Sequence, residues 1–248
     1  MDLQDFFKQH PKTALAFSGG VDSAYLLYAA IQAGNQVHAY YVKSSFQPQF
    51  ELEDAKKLAQ MLGADMTILS LDVLSEPKIV QNPKNRCYYC KQKIFGAILE
   101  AAKADGYEIL MDGTNASDDA SDRPGMKALQ ELQVRSPLRE CGLTKAQIRS
   151  LSKEAGLFTW EKPAYACLAT RIAAGEPITQ EKLTATECAE AALSALGFRD
   201  FRVRMSHGNA RLQLKEDQLP KLLSCREEIL TQLKPYYASV TLDLEVRP

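Results

Sequence analysis

The first part of the chain alternates short apolar runs with longer amphipathic ones. TALAF, residues 13–17, is a buried-type strand that runs into Gly19 and Gly20. VDSAYLLYAAIQAG then places apolar residues at helical spacing and stops at Gly34, where a glycine suits a helix C-terminus. QVHAYYV is a second strand, ELEDAKKLAQMLG an amphipathic helix ending at Gly63, and MTILSLD a third strand. A polar loop holding two cysteines follows, then a helix KIFGAILEAAKADG and a fourth strand YEILMDG. Thr144 with Gln147 forms a capping box that opens a further helix, TKAQIRSLSKEAGL. Strands alternating with helices in this way predict βαβ units, an α/β fold whose parallel sheet has helices on both faces.

Near residues 170–178 the period changes. TRIAAGEPIT reads as a loop, EKLTATECAEAALSALGF as an alanine-rich helix, and FRVRMSHGNARLQL as two alternating strands around a His-Gly-Asn turn. ASVTLDLEV adds another strand. The expected organisation is an α/β domain over residues 1–170 and a small α+β domain over residues 171–248.

Composition narrows the function classes. The chain has 248 residues, 46% of them apolar and 25% charged, as in ordinary globular proteins. Its formal net charge is −1, so no bulk basic field draws nucleic acid or an anionic membrane. The N-terminus MDLQDFFKQHPK has neither the basic nor the apolar region of a signal peptide, and no apolar run approaches the ~18 residues of a membrane span. A cytoplasmic location is expected. Six cysteines in a chain of this length do not suggest a disulfide framework.

Ser18-Gly19-Gly20-Val21-Asp22-Ser23 lies where a strand hands over to a helix. Glycines there let backbone N–H groups turn toward an anion, and the helix N-terminus adds partial positive charge. Ser18 and Ser23 can donate hydroxyl hydrogen bonds to phosphate, and Asp22 could act through magnesium or as a helix cap. No lysine follows the glycines, so this is not the loop that cleaves a γ-phosphate, nor is it GxGxxG. A Ser-capped helix that binds nothing is the bland alternative. The stretch resembles the SGGxDS loop of the PP-loop ATP pyrophosphatases. That resemblance implies ATP bound with its β- and γ-phosphates in the loop and attack on the α-phosphate. It also implies that the segment DGTNASDD, residues 112–119, closes the nucleotide pocket through Gly113, Thr114 and Asn115.

Cys87 and Cys90 in NRCYYCK put two thiolates within reach of one metal centre, and Cys167 in PAYACLATR could supply a third. A structural zinc, or a buried Cys167 with no metal role, is the competing reading. Cys141, Cys188 and Cys225 have no motif around them. Taken in order, SGGVDS, NPKNRCYYCK, DGTNASD, SPL with LTKAQIRSLSKEAGL, ACLATRI and FRVR resemble the LarE family over nearly the whole chain.

That resemblance implies an ATP-dependent sulfur transferase of nickel-pincer nucleotide cofactor biosynthesis. Its implied substrate is the small molecule pyridinium-3,5-biscarboxylic acid mononucleotide, whose carboxylates are adenylylated and converted to thiocarboxylates. Sulfur would come through a [4Fe–4S] cluster on Cys87, Cys90 and Cys167, or from Cys167 itself, and either route needs a thiolate. Arg171 could assist Cys167 electrostatically. The sulfur donor is left open, and the family implies a homo-oligomer.

Arg202 and Arg204 share one face of an alternating strand and suit a phosphate or a carboxylate, against the alternative of a solvated face. The resemblance makes the mononucleotide phosphate their ligand, with Arg211 joining across the hairpin. Trp160 and Tyr165, just before Cys167, could pack over the substrate ring, but core packing is the favoured reading. A cluster-using tRNA thiolase is the nearest rival, weakened by the near-neutral charge and the lack of a spare RNA-binding domain. A glutamine- or ammonia-dependent amidase would not need three cysteines, and an intact SGGVDS argues against a non-catalytic nucleotide sensor.

Overall fold

The structure is a computed structural model that describes residues 2–118 and 124–247. The chain divides into two compact units, Met1–Val73 with Asn85–Lys162, and Leu74–Lys84 with Pro163–Pro248. The second unit therefore begins at Pro163, ahead of the expected boundary at residue 170, and takes in an eleven-residue strap from the earlier sequence.

The first unit runs α1 (Leu3–Gln9), β1 (Lys12–Ala16), α2 (Val21–Gln32), β2 (Gln36–Lys43), α3 (Gln49–Leu62) and β3 (Met66–Ser70). The strap carries α4 (Pro77–Val80). The first unit then resumes with α5 (Arg86–Ala104), β4 (Leu110–Met111), α6 (Pro124–Glu131), α7 (Pro137–Glu140) and α8 (Lys145–Glu154). Its four strands are all parallel, in the order β3-β2-β1-β4. Alternate residues of each strand serve opposite faces. Leu15, Ala39, Tyr41 and Met111 pack with α1, α2, α3 and α8, while Ala14, Tyr40, Val42 and Leu110 pack with α5. Both faces are thus buried, which is why these strands read as near-continuous apolar runs.

β1 passes to β2 on one side and pairs with β4 on the other, so the strand order reverses at β1. Open α/β sheets bind ligands in the crevice at such a reversal, outside the carboxyl ends of the strands. The expected fourth strand over residues 107–113 is reduced to the two residues of β4, and its flank turns early into the Asp112 loop.

The second unit holds α9 (Gln180–Ala195), β5 (Arg202–Ser206), β6 (Asn209–Gln213), α10 (Leu219–Ser224), α11 (Arg226–Leu233) and β7 (Val240–Leu242). β5 and β6 form an antiparallel hairpin, and β7 adds parallel to β6. The hairpin turn is His207-Gly208, both at positive φ, as a tight primed turn requires. Val203, Met205, Ala210 and Leu212 pack against Ala189 and Leu193 of α9 and Ile229 and Leu233 of α11. The strap is hydrogen-bonded into this unit: Asn82, buried and at φ 50°, donates its side-chain amide to the Ala173 carbonyl at 2.9 Å, and the Gly175 N–H donates to the Asn82 carbonyl at 2.8 Å. No helix among the described residues is long and apolar enough to cross a membrane.

Candidate active site

β1 ends at Ala16, and the chain turns through Phe17, Ser18, Gly19 and Gly20 into α2. Gly19 has φ +72°, and a Cβ there would lie 3.1 Å from the Cβ of Ala55 on α3, so both conformation and space call for glycine. Gly20 is the N-cap and offers no side-chain cap. The turn is braced internally. The Ser18 and Ser23 hydroxyls are 3.1 Å apart, the Ser23 hydroxyl accepts from the Ser18 N–H at 3.3 Å, and it donates to the Gly20 carbonyl at 3.2 Å. Backbone amides and two hydroxyls at the positive end of a twelve-residue helix make an anion cradle.

The loop after β4 lies against this turn. A Cβ on Gly113 would come within 2.8 Å of the Ser23 backbone nitrogen, so the two loops touch only because residue 113 is glycine. Asp112 is buried and anchors its loop by accepting from the Thr114 hydroxyl at 2.5 Å and the Ser136 hydroxyl at 2.7 Å. Thr114 and Asn115 are buried as well. Asn115 donates its amide to Asp22 at 3.2 Å and accepts from the Ser117 N–H at 2.8 Å. The expected set of Ser18, Gly19, Gly20, Asp22, Ser23, Gly113, Thr114 and Asn115 is therefore brought together at the sheet reversal. Asp119, the last residue of the segment read as closing the pocket, lies outside the described residues.

Asp22 does not cap its helix; the N-cap position belongs to Gly20. Its second oxygen pairs with Lys145 at 2.5 Å. Lys145 is the first residue of α8, fixed by the Thr144–Gln147 capping box and by its own N–H donating to Ser117 at 2.9 Å. Lys145 has no place in the glycine motif itself, since it lies 123 residues beyond Asp22. The fold returns to the loop the cation its sequence lacks. The signal was present in LTKAQIRS, where the capping box sets Lys145 at a helix start.

The cysteine pair stands elsewhere than expected. Cys87 and Cys90 lie within the first five residues of α5, not in a loop ahead of it, since nothing in CYYCKQK breaks a helix and the start moves back to Arg86. At i and i+3 they share one face. Cys87 is exposed, and the Arg86 guanidinium lies 3.6 Å from its sulfur. None of the six cysteines is in a disulfide. Two neighbouring thiols beside a guanidinium suit a metal or cluster ligand pair. Cys167 belongs to the second unit, partly exposed, just ahead of a 3-10 turn over Leu168–Arg171. Among the described residues, no three His, Cys, Asp or Glu side chains are grouped to hold a metal ion.

In the second unit the two strand arginines are not on a solvated face. Arg202 is buried and bonds the carbonyls of Phe201, at 2.6 Å, and Ala164. Arg204 donates to Thr170 O at 2.6 Å and Gln213 at 2.9 Å. Arg211 stands directly across from Arg204 in the hairpin register, exposed, with its Nε 3.5 Å from Asp243. Burial, then repulsion from Arg171 and Arg247, pushes the Arg202 guanidinium down to about 10, and the same causes lower Arg204. Such a concentration of positive charge favours an anion.

Arg171, 1% exposed, is clamped by Glu190, with Nε at 2.6 Å and Nη2 at 3.2 Å. Glu190 also accepts from the Tyr165 hydroxyl at 2.6 Å and the Val203 N–H at 3.0 Å. Tyr165 is thus part of a polar network rather than plain core, its ring centroid 4.7 Å from the Arg171 guanidinium carbon and 5.4 Å from that of Arg202. Trp160 belongs to the first unit, where Lys153 lies 4.5 Å over its ring.

The profile described as queuosine biosynthesis protein QueC matches residues 12–82. The Synechocystis protein slr1717 is 36% identical over 98% of this chain and 92% of its own. The pyridinium-3,5-bisthiocarboxylic acid mononucleotide synthase of Lactiplantibacillus plantarum is 32% identical over 96% of this chain and 87% of its own. The tRNA-specific 2-thiouridylase MnmA of Thermotoga petrophila is 24% identical over 61% of this chain and 54% of its own. Ordered motifs, a parallel sheet with its glycine turn at the reversal, and near-complete alignment with the Lactiplantibacillus synthase agree: the chain belongs to the LarE family of sulfurtransferases, within the PP-loop ATP pyrophosphatases.

Proposed function

We propose that this sulfurtransferase activates a carboxylate of pyridinium-3,5-biscarboxylic acid mononucleotide with ATP and replaces an oxygen of it by sulfur. The observation that carries the reading is the Ser18–Ser23 turn packed on Gly113, in a chain aligned over 96% of its length with a synthase of the bisthiocarboxylic acid mononucleotide. The turn would hold the β- and γ-phosphates. A substrate carboxylate oxygen attacks the α-phosphorus, the bond to the bridging oxygen breaks, and pyrophosphate leaves. Ser18, Ser23 and the amides of the turn stabilise the charge on that leaving group. Magnesium accompanies ATP, with Asp22 as its candidate ligand.

A sulfur nucleophile then adds to the acyl-adenylate carbonyl and expels AMP. Cys167 is the residue we assign to sulfur handling. Cys87, Cys90 and Cys167 would together hold a [4Fe–4S] cluster, which when bound supplies an open iron for an additional sulfide. In the sacrificial alternative the Cys167 thiolate attacks the carbonyl itself and expels AMP; loss of its Cα proton to a base then forms the Cα–Cβ double bond as the Cβ–S bond breaks, so that the thiocarboxylate leaves and dehydroalanine remains. Arg202, Arg204 and Arg211 would bind the mononucleotide phosphate. A homo-oligomer in the cytoplasm completes the proposal, and the sulfur donor is left open. The tRNA thiolase reading loses ground, since the thiouridylase relative spans only 61% of the chain.

The test supplies ATP, magnesium and the biscarboxylate mononucleotide, and measures pyrophosphate, AMP and thiocarboxylate. Substrate-dependent pyrophosphate with thiocarboxylate formation is expected. Cys167→Ala should keep pyrophosphate release and lose the thiocarboxylate. Equal loss of both would make Cys167 a structural residue, and no pyrophosphate from the unaltered chain would sink the proposal.

A further inference from the structure

Residues 163–173, which carry Cys167, run beside β5, with Ile172 bridging Met205 in parallel and the Ala173 N–H donating to the Met205 carbonyl at 3.2 Å. Three polar side chains, two from β5 and one from α9, grip this loop at defined points. Arg202 bonds the Ala164 carbonyl, three residues before Cys167. Arg204 bonds the Thr170 carbonyl, three residues after it, at 2.6 Å. Glu190 takes the Tyr165 hydroxyl on one side and the Arg171 guanidinium on the other, while its Oε1 also receives the Val203 N–H of β5. The Thr170 N–H and hydroxyl both donate to the Cys167 carbonyl, at 2.9 and 2.8 Å.

We infer that Glu190, Arg202 and Arg204 are positioning residues that clamp the loop bearing Cys167 onto β5, and so fix where its sulfur stands. This role is separate from phosphate binding. A guanidinium has five N–H donors, so an arginine that holds a backbone carbonyl keeps others for an anion. Two carbonyls gripped by guanidiniums and one buried carboxylate spanning both sides of the cysteine leave the loop few alternative conformations. A sulfur nucleophile misplaced by about 1 Å loses on the order of a hundredfold in rate. The inference rests on the reading of Cys167 as the sulfur-handling residue, but its physical content, a clamped loop, does not depend on turnover.

Amide hydrogen exchange of the full-length chain, followed at residues 164–171, tests it. Removing one such buried hydrogen bond should speed exchange at Thr170 and its neighbours about tenfold in Arg204→Met and in Glu190→Gln. The β6 amides should keep their wild-type protection, and Arg204→Lys, which retains one donor, should recover most of the loss. Tyr165→Phe removes only a hydroxyl and keeps the ring. It should loosen the loop less and lower kcat for sulfur transfer while leaving KM for the mononucleotide unchanged. Wild-type exchange over 164–171 in both Arg204→Met and Glu190→Gln, with a raised KM, would overturn the clamp and leave the arginines as substrate ligands alone. If Glu190→Gln fails to fold, Arg204→Met and Tyr165→Phe decide by the same criterion. A wild-type chain that transfers no sulfur counts against the proposed function, and the exchange result still judges the clamp.

Discussion

Gly113 shows how much of the site hangs on one absent methyl. Its hydrogen faces the Ser23 backbone nitrogen, and an added Cβ would sit at 2.8 Å with no flexible side chain to give way. Gly113→Ala should cost about 1–3 kcal/mol in overpacking, seen as a lower melting temperature. It should also weaken ATP binding in calorimetry, because the β4 loop must back away from the turn. Glu190 is the opposite case, a charge where the pattern calls for an apolar residue. It shares the buried face of α9 with Leu183, Thr186, Ala189 and Leu193. A lone acid in an alanine-rich buried stripe signals a buried cation nearby, and that signal was readable in CAEAALSAL without telling which arginine answers it. Arg171 does, from 19 residues earlier. Lys145 was less legible, since only the fold brings residues 123 apart into contact.

At the level of elements, periodicity succeeded where burial is one-sided or complete and failed at the ends. β1, β2 and β3, with α2 and α3, lie where their apolar runs and terminal glycines place them. α5 starts seven residues before the apolar run it was expected to begin with, because nothing in RCYYCKQ breaks a helix and the period carries back through it. That shift turns the cysteine pair from loop residues into neighbours on a helix. β4 shrinks because Asp112 leaves the ladder to anchor its own loop, with Ser136 and the Arg135–Glu140 pair behind it. The Arg135 guanidinium, and then the Ser136 N–H, hold the Glu140 carboxyl below the usual range against the opposing effect of burial. A carboxyl lowered in the folded state stabilises above its unfolded value of about 4.3, and that contribution fades as the pH falls through the folded value. Melting curves should therefore show Glu140→Gln less stable at pH 7, by about 1 kcal/mol or less because Arg135 is more than a third exposed. The two proteins should converge on acidification below about pH 4.

For the whole molecule, the fold class and the order of the motifs were legible from the sequence, whereas the strap was not, because its eleven residues carry no compositional break. The cluster reading makes a whole-chain prediction. Protein purified without oxygen should contain about four iron and four acid-labile sulfide per chain, and Cys87→Ala should lose them while still binding ATP. Iron-free wild-type protein that folds and binds ATP would favour the sacrificial route through Cys167. The strap has a consequence for how the chain comes into being. Asn82 leaves the ribosome well before Ala173, its partner 91 residues later. Through that interval the strap's buried amide has no native acceptor, so the second unit cannot close until synthesis is well advanced. Its assembly is a late, non-local event of the kind that slows folding, and cutting the gene at residue 162 would leave the first fragment with a dangling thread and the second without one.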